Sequence, residues 1–471
     1  MLFNSFVFLF FLLITFVIYY LPLNIVKREQ VVLLIFASFV FYAYQKPILL
    51  LLLLFSILIN TIFSYSIFKK GQLRVKAILL LGVLFNLLIL AFFKYGPLIA
   101  STIAKEFSLK NGILDFILTI PLPIGISFYT FEGISLLLDL YSGKIIFNEE
   151  KSSFYTHLKR TAFFISFFPH LIAGPILKAR EFYPQIDSKR FDNILWTEVV
   201  KKLVTGFFLK MVVADNLSTI TDGIRYPYFQ GFSSINLLLL LFGYSMQIFA
   251  DFAGYSLIAI GLGLLFGYEL PKNFDFPYIA STFSEFWRRW HISLSTWLRD
   301  YLYISLGGNR KGTFRTYINL FIVMLLGGLW HGASWSYAVW GSMHGLFLLI
   351  ERFLFKDKLS QQKRNFIGVV YVFSTVSILW LLFKLTDFSY FLGYFKAIFD
   401  NIHIPVRFGI DQLSILFYAL PVIFYHLVYL LKNNESFRLW FLKVDYLGYA
   451  IMLFLILVDS GTQGKFIYFQ F

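Results

Sequence analysis

Cysteine is absent from this chain of 471 residues. Disulfides, thiolate metal ligands, a cysteine nucleophile and palmitoylation are therefore excluded. Charged residues are scarce as well, at 14% of the sequence against about 25% in a typical soluble protein. Hydrophobic residues make up 58% and aromatic residues 21%, more apolar surface than a water-soluble fold can cover. The composition predicts an all-α, polytopic transmembrane protein.

A basic domain is also missing, although the net charge is +15. Lys and Arg are scattered between hydrophobic segments, as in membrane proteins whose cytoplasmic loops face anionic lipid. We therefore expect the lipid bilayer as the partner of these charges and no binding to nucleic acid. Residues 3–23 are apolar for long enough to span and are followed by no small-residue cleavage site, so we expect them to be retained as the first span.

Apolar windows follow one another along the chain, with no repeat period and no segment the size of a soluble domain. They predict about eleven to thirteen spans and re-entrant helices in a single integral-membrane domain over residues 1–471. Pro121-Leu-Pro-Ile-Gly125 interrupts one window and predicts a broken element. The windows are 3–23, 30–45, 47–68, 77–100, 113–141, 158–177, 198–214, 233–250, 252–268, 316–331, 333–355, 365–385, 387–399, 412–432 and 445–459.

The distribution of Lys and Arg in the first loops predicts the orientation. The loop between the second and third windows holds only Lys46. Because basic residues favour the cytoplasmic side, we expect the N-terminus to face outward, across the membrane from the cytoplasm. The loops after the first and third spans are basic and hold Lys27, Arg28, Lys69, Lys70, Arg74 and Lys76.

His331 lies in the middle of an apolar run, residues 321–335. An ionisable side chain at membrane depth is costly, which favours a functional role. Gly327, Gly328 and Gly332 leave room for another backbone or a substrate to come close. Histidine can accept and return a proton near neutral pH. The alternative is a structural, neutral imidazole that bonds to a neighbouring helix.

Charge and tryptophan are concentrated in residues 283–300. A continuous helix there would carry an apolar stripe, with the arginines largely off it. Considered alone, the segment is equally well explained as an interfacial amphipathic helix with aromatic anchors. The stripe consists of Trp287, Trp290, Leu294, Trp297 and Leu298.

Three short motifs in this part of the sequence resemble those of a known family. Trp287-Arg-Arg-Trp-His291, then Trp297-Leu-Arg-Asp300, then Leu329-Trp-His-Gly332 resemble the membrane-bound O-acyltransferase (MBOAT) family, and most closely its bacterial, alginate O-acetyltransferase-like branch. Further similar segments run through the whole chain, and together with the first three they make the resemblance strong. They are Pro123–Phe131, Phe168–Pro175, Phe249–Ser256, Pro271–Pro277 and Phe466–Phe471.

The resemblance implies a ring of tilted helices around a central tunnel, with His331 as the catalytic histidine and His291 as a second functional histidine. It implies transfer of an acyl group, by preference acetyl, from a cytoplasmic thioester toward a cell-envelope polysaccharide, alginate-like or another exopolysaccharide. The resemblance also implies a periplasmic esterase-like partner protein and a location in the inner (cytoplasmic) membrane. Peptidoglycan O-acetylation and teichoic-acid D-alanylation stay open as alternatives.

In this interpretation His331 is the general base that takes the proton from an acceptor hydroxyl and returns it to the leaving thiolate. Arg288, Arg289 and Arg299 are candidates to hold the phosphates of acetyl-CoA or of an acyl carrier's phosphopantetheine, because guanidinium groups suit phosphate. The alternative is that these arginines contact lipid phosphates or cap helices. We expect no bound cofactor, since the donor is a substrate.

Other residues are candidates to line the tunnel or support the site. We expect Asp251 to pair with His331 or with an arginine, His170 to mark a bend in the channel, and Trp330 to support its neighbour. Ser334 is three residues after His331, where a helix can bring the two together, but no Gly-x-Ser-x-Gly elbow supports an acyl-serine. No carboxylate–histidine cluster has metal-ligand spacing, so we expect no metal. We interpret the remaining histidines and Glu351 as structural.

Two other classes of function compete with the enzyme. A transporter or flippase also uses buried polar residues in broken helices, but it is expected to show an internal repeat, which this sequence lacks. A membrane scaffold gives no reason for an imidazole in a glycine-rich apolar helix. The acyltransferase interpretation explains both histidine motifs.

Overall fold

The structure, a computed structural model, describes residues 1–69, 72–106, 112–145, 153–172, 174–355, 365–431, 434–462, 464 and 466–467. Lys70 and the last four residues of the Phe466–Phe471 run lie outside the described residues, as do the side chains of Lys27 and Arg28. The described residues form helices and connecting loops, and none of them lies in a β-strand. The prediction of an all-α membrane protein is confirmed.

The chain divides into two compact units, and the first consists of Met1–Val200 and Ile258–Pro271. Buried polar pairs lie among its helices, for example Asn60 and Asn86, whose amides bond to each other at 2.9 and 3.1 Å. Its helices are α1 (Phe6–Tyr20), α2 (Asn24–Ala43), α3 (Ile48–Lys69), α4 (Gln72–Glu106), α5 (Gly112–Thr119), α6 (Ile126–Tyr141), α7 (Phe154–Ser166), α8 (Phe168–Leu171) and α9 (Ala179–Phe182).

The second unit consists of Lys201–Leu257 and Lys272–Phe471. Two π-helical turns, Phe208–Ala214 and Leu298–Tyr303, interrupt its α-helices, and such turns occur often at functional sites. The helices from Trp196 onward are α10 (Trp196–Phe207), α11 (Asp215–Thr221), α12 (Ser234–Leu265), α13 (Phe283–Arg289), α14 (Ile292–Trp297), α15 (Thr313–His331), α16 (Trp335–Phe355), α17 (Phe366–Lys384), α18 (Phe388–Asp400), α19 (Ile410–Leu431) and α20 (Glu435–Val458). Helices α10 and α12 have residues in both units.

Fewer helices are long enough to cross a membrane than the apolar windows predict. Over the described part of the chain eight helices have the length and apolarity of a span, or nine if the bent pair Glu435–Phe441 and Lys443–Val458 is one span. Two shorter apolar helices, Phe6–Tyr20 and Glu29–Ala43, add to these. Three further windows, 113–141, 158–177 and 387–399, contain none of these helices and only helices of 16 residues or fewer.

Proline explains two of these shorter elements. Helix α5 ends at Thr119 and α6 begins at Ile126, so the Pro121–Gly125 run breaks the window as predicted. Gly125 has a φ of 80°, a backbone conformation that a side chain disfavours. Pro169 occupies the first turn of α8, directly after α7 ends at Ser166, because proline is tolerated where the backbone N–H has no partner within the helix.

Helices α15 and α16 approach each other closely through glycine. A Cβ atom at Gly328 would lie 2.9 Å from the Cα of Gly341 and would also collide with the carbonyl oxygen of Tyr337. A Cβ atom at Gly332 would collide with the ring of Tyr337. The expectation that glycines near His331 allow a close approach is confirmed. This contact fixes the end of α15, where His331 lies.

We predict that Gly328→Val lowers the thermal stability of the detergent-solubilised protein, because overpacking a tight contact costs about 1–3 kcal/mol. Gly448→Val is the matched control, since a Cβ atom at Gly448 meets nothing within 4 Å. Thermal unfolding followed by size-exclusion chromatography compares the two variants. Equal melting temperatures for both would show that the α15–α16 contact does not need glycine.

Candidate active site

His331 is the last residue of α15 and lies in an aromatic pocket of the second unit. Its ring is 5.1 Å from Trp330, 5.2 Å from Trp340 and 5.1 Å from Phe383, measured between ring centroids. All three contacts are edge-to-face, the geometry that aromatic rings favour. Only 5% of the residue is exposed. The aromatic rings therefore hold the imidazole in one orientation and keep most of the water away from it.

His291 lies at a break between two short helices. Helix α13 ends at Arg289 and α14 begins at Ile292, and His291 between them has a φ of 43° and a ψ of 54°. The left-handed conformation is uncommon for a residue other than glycine and is found often at functional sites. Residues 283–300 therefore do not form the one continuous helix on which the apolar stripe depends. Because the break turns the chain, the predicted stripe is not one face of one helix.

Four of the five stripe residues nevertheless lie inward, and Trp287 is half-buried. Trp290 and Leu294 are each 1% exposed, and Trp297 and Leu298 are also buried. They pack within the protein, so this part of the segment is not the interfacial helix that the stripe alone could suggest. Trp290 contacts Trp380 of α17 at 4.8 Å between ring centroids.

The two histidines come together. Their ring centroids are 6.4 Å apart, and the Trp330 ring lies 6.0 Å from His291 and 5.1 Å from His331. Phe252 of α12 packs edge-to-face on His291 at 4.6 Å. Because His291 is fully buried, desolvation lowers the pKa of its imidazole from 6.5 to about 3. This ring is therefore neutral at physiological pH, with one nitrogen protonated and the other able to accept a hydrogen bond.

Asn273 fixes the backbone around His291. Its carbonyl oxygen accepts a hydrogen bond from the backbone N–H of Ile292 at 2.9 Å, and its side-chain oxygen accepts one from the Ser293 hydroxyl at 2.6 Å. The Asn273 amide donates to the hydroxyl of Ser256 on α12 at 2.9 Å. Sequence reasoning did not identify this asparagine as a site residue, although it lies within the Pro271–Pro277 motif.

The three arginines of the predicted donor site have different environments. Arg288 and Arg299 are exposed, and Arg299 pairs with its neighbour Asp300 at 2.7 Å. The side chain of Arg289 is only 12% exposed and is held by Glu285 at 3.0 Å and by the Tyr429 hydroxyl at 3.0 Å. Arg289 is thus committed to contacts within the protein, whereas Arg288 and Arg299 present their guanidinium groups to the surroundings.

Among the described residues Asp251 pairs with a lysine and with neither a histidine nor an arginine, so that expectation is wrong. Its carboxylate binds the ammonium group of Lys210 at 2.7 Å, and Lys210 also binds Asp215 at 2.7 Å. All three side chains are at most 3% exposed. Burying a lysine is tolerated when carboxylates compensate its charge. Lys210 is 41 residues from Asp251 along the sequence, and no local pattern predicts the pair.

A cavity of about 200 Å³ borders this charged cluster. Phe383 forms part of its wall and also packs on His331 at 5.1 Å. Lys384, the next residue, pairs with Asp222 at 2.8 Å at the cavity wall. The cavity therefore reaches one side of the aromatic pocket around His331. Its charged lining consists of Lys210, Asp215, Asp222, Arg225, Asp251 and Lys384.

Ser334 does not lie on the helix of His331. Helix α15 ends at His331, and the Ser334 hydroxyl bonds to the carbonyl oxygen of Thr386 at 3.0 Å and to the Ser336 hydroxyl at 3.0 Å. The expectation that helical spacing brings Ser334 to the histidine is therefore wrong, because the chain leaves the helix at Gly332.

His170 belongs to the first unit, where it is fully buried against Glu132. The imidazole Nδ1 and a carboxylate oxygen are 3.0 Å apart, and neither side chain is exposed. The residue follows Pro169 at the bend, as predicted, whereas its role in lining a channel stays a prediction. In the described residues no three side chains of His, Asp, Glu or Cys are grouped so that they could hold a metal ion.

Two residues interpreted as structural lie near the site. His344 is fully buried, 4.6 Å from the Trp340 ring that also contacts His331. Glu351 accepts hydrogen bonds from the backbone N–H groups of Phe283 and Ser284 at 2.6 and 3.1 Å. A carboxylate at the start of α13 satisfies donors that have no partner within that helix. Glu351 thus holds in place the helix that leads to His291.

Comparison with known proteins gives the family. Residues 39–385 match the model of the MBOAT, membrane-bound O-acyltransferase family. A probable alginate O-acetylase of Pseudomonas putida is 41% identical over 67% of this chain and 61% of its own length, so the chain spans less than two thirds of that relative. One of Pseudomonas aeruginosa is 40% identical over 88% of this chain and 76% of the relative.

A peptidoglycan O-acetyltransferase of Helicobacter pylori is 39% identical over 49% of this chain and 47% of its own length. The family match includes both histidines and most of the described helices. The chain therefore belongs to the membrane-bound O-acyltransferase family and is an integral membrane enzyme of acyl transfer.

Proposed function

We propose that this protein transfers an acetyl group from a cytoplasmic thioester toward a hydroxyl group of a cell-envelope polysaccharide, with His331 as the general base. The observation that carries the proposal is the pair of buried imidazoles, 6.4 Å apart, inside an aromatic pocket. A buried imidazole at the end of a membrane-spanning helix is costly, and catalysis supplies a reason for it.

In the proposed step His331 removes the proton from the acceptor hydroxyl as its oxygen bonds to the thioester carbonyl carbon. The carbon–sulfur bond then breaks, and His331 returns the proton to the leaving thiolate, so that no proton is gained or lost. The aromatic contacts at 5.1–5.2 Å support this role, because they fix the imidazole and limit competing hydrolysis by water.

We assign His291 the role of orienting the thioester. Its pKa of about 3 keeps the imidazole neutral, so that its protonated nitrogen can donate a hydrogen bond to the carbonyl oxygen as negative charge develops there. The left-handed backbone at His291 and the three hydrogen bonds of Asn273 support a fixed orientation. Such preorganised donors stabilise the transition state without reorganisation.

The donor is acetyl-CoA or an acetylated carrier with a phosphopantetheine arm, and both present phosphate. Arg288 and Arg299 are the candidates to bind it, because both are exposed while Arg289 is held by Glu285 and Tyr429. Arg288 immediately precedes Arg289 on α13, the helix that leads to His291. Phosphate binding there would direct the donor toward the histidines.

The acceptor is a polysaccharide of the envelope, and the two pseudomonad relatives favour an exopolysaccharide of the alginate type. The relative from Helicobacter pylori keeps peptidoglycan as a second candidate. In either case the acceptor lies outside the cytoplasm, which places the protein in the cytoplasmic membrane. A periplasmic esterase-like protein that completes the transfer is the expected partner.

We predict that His331→Ala lowers acetyl transfer by about 10²–10⁴-fold, because it removes the general base. His403→Ala is the control, since His403 is exposed and its ring Nδ1 contacts the carbonyl oxygen of the nearby Asp400 at 2.9 Å. The measurement is the O-acetyl ester content of exopolysaccharide and peptidoglycan from a deletion strain that expresses each variant. The polymer that regains its esters with the parent protein is the acceptor. Wild-type ester content with the His331 variant would remove the assignment of the base.

We predict that charge reversal at Arg288 and Arg299 together raises the KM for acetyl-CoA at least about tenfold with little change in kcat, because charge-assisted bonds to phosphate are lost. Arg438→Glu is the control, an exposed arginine near Glu435. Initial rates with detergent-solubilised protein give both constants. An unchanged KM in the double variant would assign these arginines to lipid contacts instead.

A further inference from the structure

The segment that follows α20 returns to the buried part of the second unit. The backbone N–H of Gly461 bonds to the carbonyl oxygen of Met211 at 2.9 Å, and the carbonyl oxygen of Asp459 accepts from the Asn216 amide at 2.8 Å. Further along, Phe466 is fully buried and Ile467 is 6% exposed. The described residues of this segment are 459–462, 464 and 466–467; Ser460 and Thr462 are exposed, whereas Phe466 and Ile467 are packed into the fold.

The charged cluster of Lys210, Asp215 and Asp251 holds this segment by its backbone. One carboxylate oxygen of Asp251 binds Lys210 at 2.7 Å, and the other accepts a hydrogen bond from the backbone N–H of Ile467 at 2.8 Å. The ammonium group of Lys210 also lies 3.4 Å from the carbonyl oxygen of Gly464. The cluster thus contacts one donor and one acceptor of the same short segment.

Two local features bring the cluster and the segment together. Lys210 lies in the π-helical turn Phe208–Ala214, and a Cβ atom at Gly254 would lie 2.9 Å from the backbone nitrogen of Lys210. A Cβ atom at Gly461 would lie 2.7 Å from the backbone carbonyl carbon of Asp215. Since each approach leaves no room for a side chain, the segment lies directly against the helix that carries Asp215.

The held segment also forms part of the site's surroundings. The Phe466 ring lies 4.2 Å from Tyr255 and 6.0 Å from Phe252, and Phe252 packs on His291 at 4.6 Å. Gly464 and Ile467 line the cavity whose wall includes Phe383, and Phe383 packs on His331. Displacing the segment would therefore change both the packing behind His291 and the shape of the cavity.

We propose that Lys210 and Asp251 are positioning residues that clamp Gly464, Phe466 and Ile467 in place as a wall of the cavity and as the packing behind His291. Part of the hydrogen-bonding capacity that the ion pairs leave unused is taken up by this backbone, through the Ile467 N–H and the Gly464 carbonyl oxygen. The consequence for turnover rests on the proposed function, whereas the clamp itself does not.

A thiol probe tests the clamp without any assay of activity. Ile467→Cys introduces the sole thiol of the chain, which has no cysteine of its own, and leaves the backbone N–H that Asp251 binds. The rate at which a maleimide labels Cys at this position in the full-length, detergent-solubilised protein reports how often the segment leaves its place. Turnover with acetyl-CoA is measured on the same variants without the probe.

Two variants release the segment in different ways. Lys210→Met/Asp215→Asn/Asp251→Leu removes the three charges together, so that no buried charge is left alone. Gly461→Val displaces the segment by collision with the backbone of Asp215 and keeps all three charged groups of the cluster, so the test stays available if the triple variant does not fold. Lys201→Met is the matched control, because it breaks a 2.7 Å lysine–aspartate pair with Asp445 elsewhere in the unit.

We expect both releasing variants to raise the labelling rate at least about tenfold. We also expect them to lower kcat by a similar factor, with an unchanged KM for acetyl-CoA. The control variant should change neither the labelling rate nor kcat. Wild-type labelling rates in a folded releasing variant would overturn the clamp. Faster labelling with unchanged kcat would overturn the positioning role. Failure of the parent protein to transfer acetyl would contradict the proposed function alone, since the labelling comparison stands without it.

Discussion

Burial away from water determines how polar groups are arranged in the second unit. Lys210 lies inside the protein because two carboxylates bind its ammonium group at 2.7 Å each. Arg289 is held in the same manner by Glu285 and Tyr429. An ion pair that is almost fully buried gains little net stability, because desolvation offsets its attraction. Such groups therefore indicate positions where orientation matters more than stability.

The two histidines lie in a different environment, since aromatic rings pack against both of them. Burial keeps His291 neutral, and Trp330 contacts both imidazoles within 6.0 Å. A neutral imidazole can donate one hydrogen bond and accept another, which suits a reaction in which a proton moves from an alcohol to a thiolate. The charged cluster and the aromatic pocket meet at Phe383, which borders both the cavity and His331.

The sequence predicted the parts of this arrangement that depend on local pattern. Apolar windows identified the helical membrane class, and the glycines near His331 correctly indicated a close approach of α15 and α16. The resemblance to the family identified both histidines as site residues. The structure shows that their ring centroids are 6.4 Å apart. Pro121–Gly125 correctly marked a break, because proline and a positive φ leave a local signal.

Other parts left no such signal. The turn at His291 has a positive φ at a residue other than glycine, which is uncommon, so the sequence carried no glycine or proline to mark the break between α13 and α14. The partner of Asp251 is distant along the chain and lies in a π-helical turn, which has no recognisable pattern. An apolar window does not distinguish a membrane-crossing helix from a shorter one, and in the described residues two shorter apolar helices accompany the eight or nine helices that have the length of a span.

A double-mutant cycle on kcat/KM with His291→Gln and His331→Gln tests most directly whether the two imidazoles serve one reaction. Residues that act on the same transition state have strongly non-additive effects. The account predicts that the double variant is no slower than His331→Gln alone, within about threefold. Losses that multiply in the double variant would contradict a shared site and leave two histidines with separate roles.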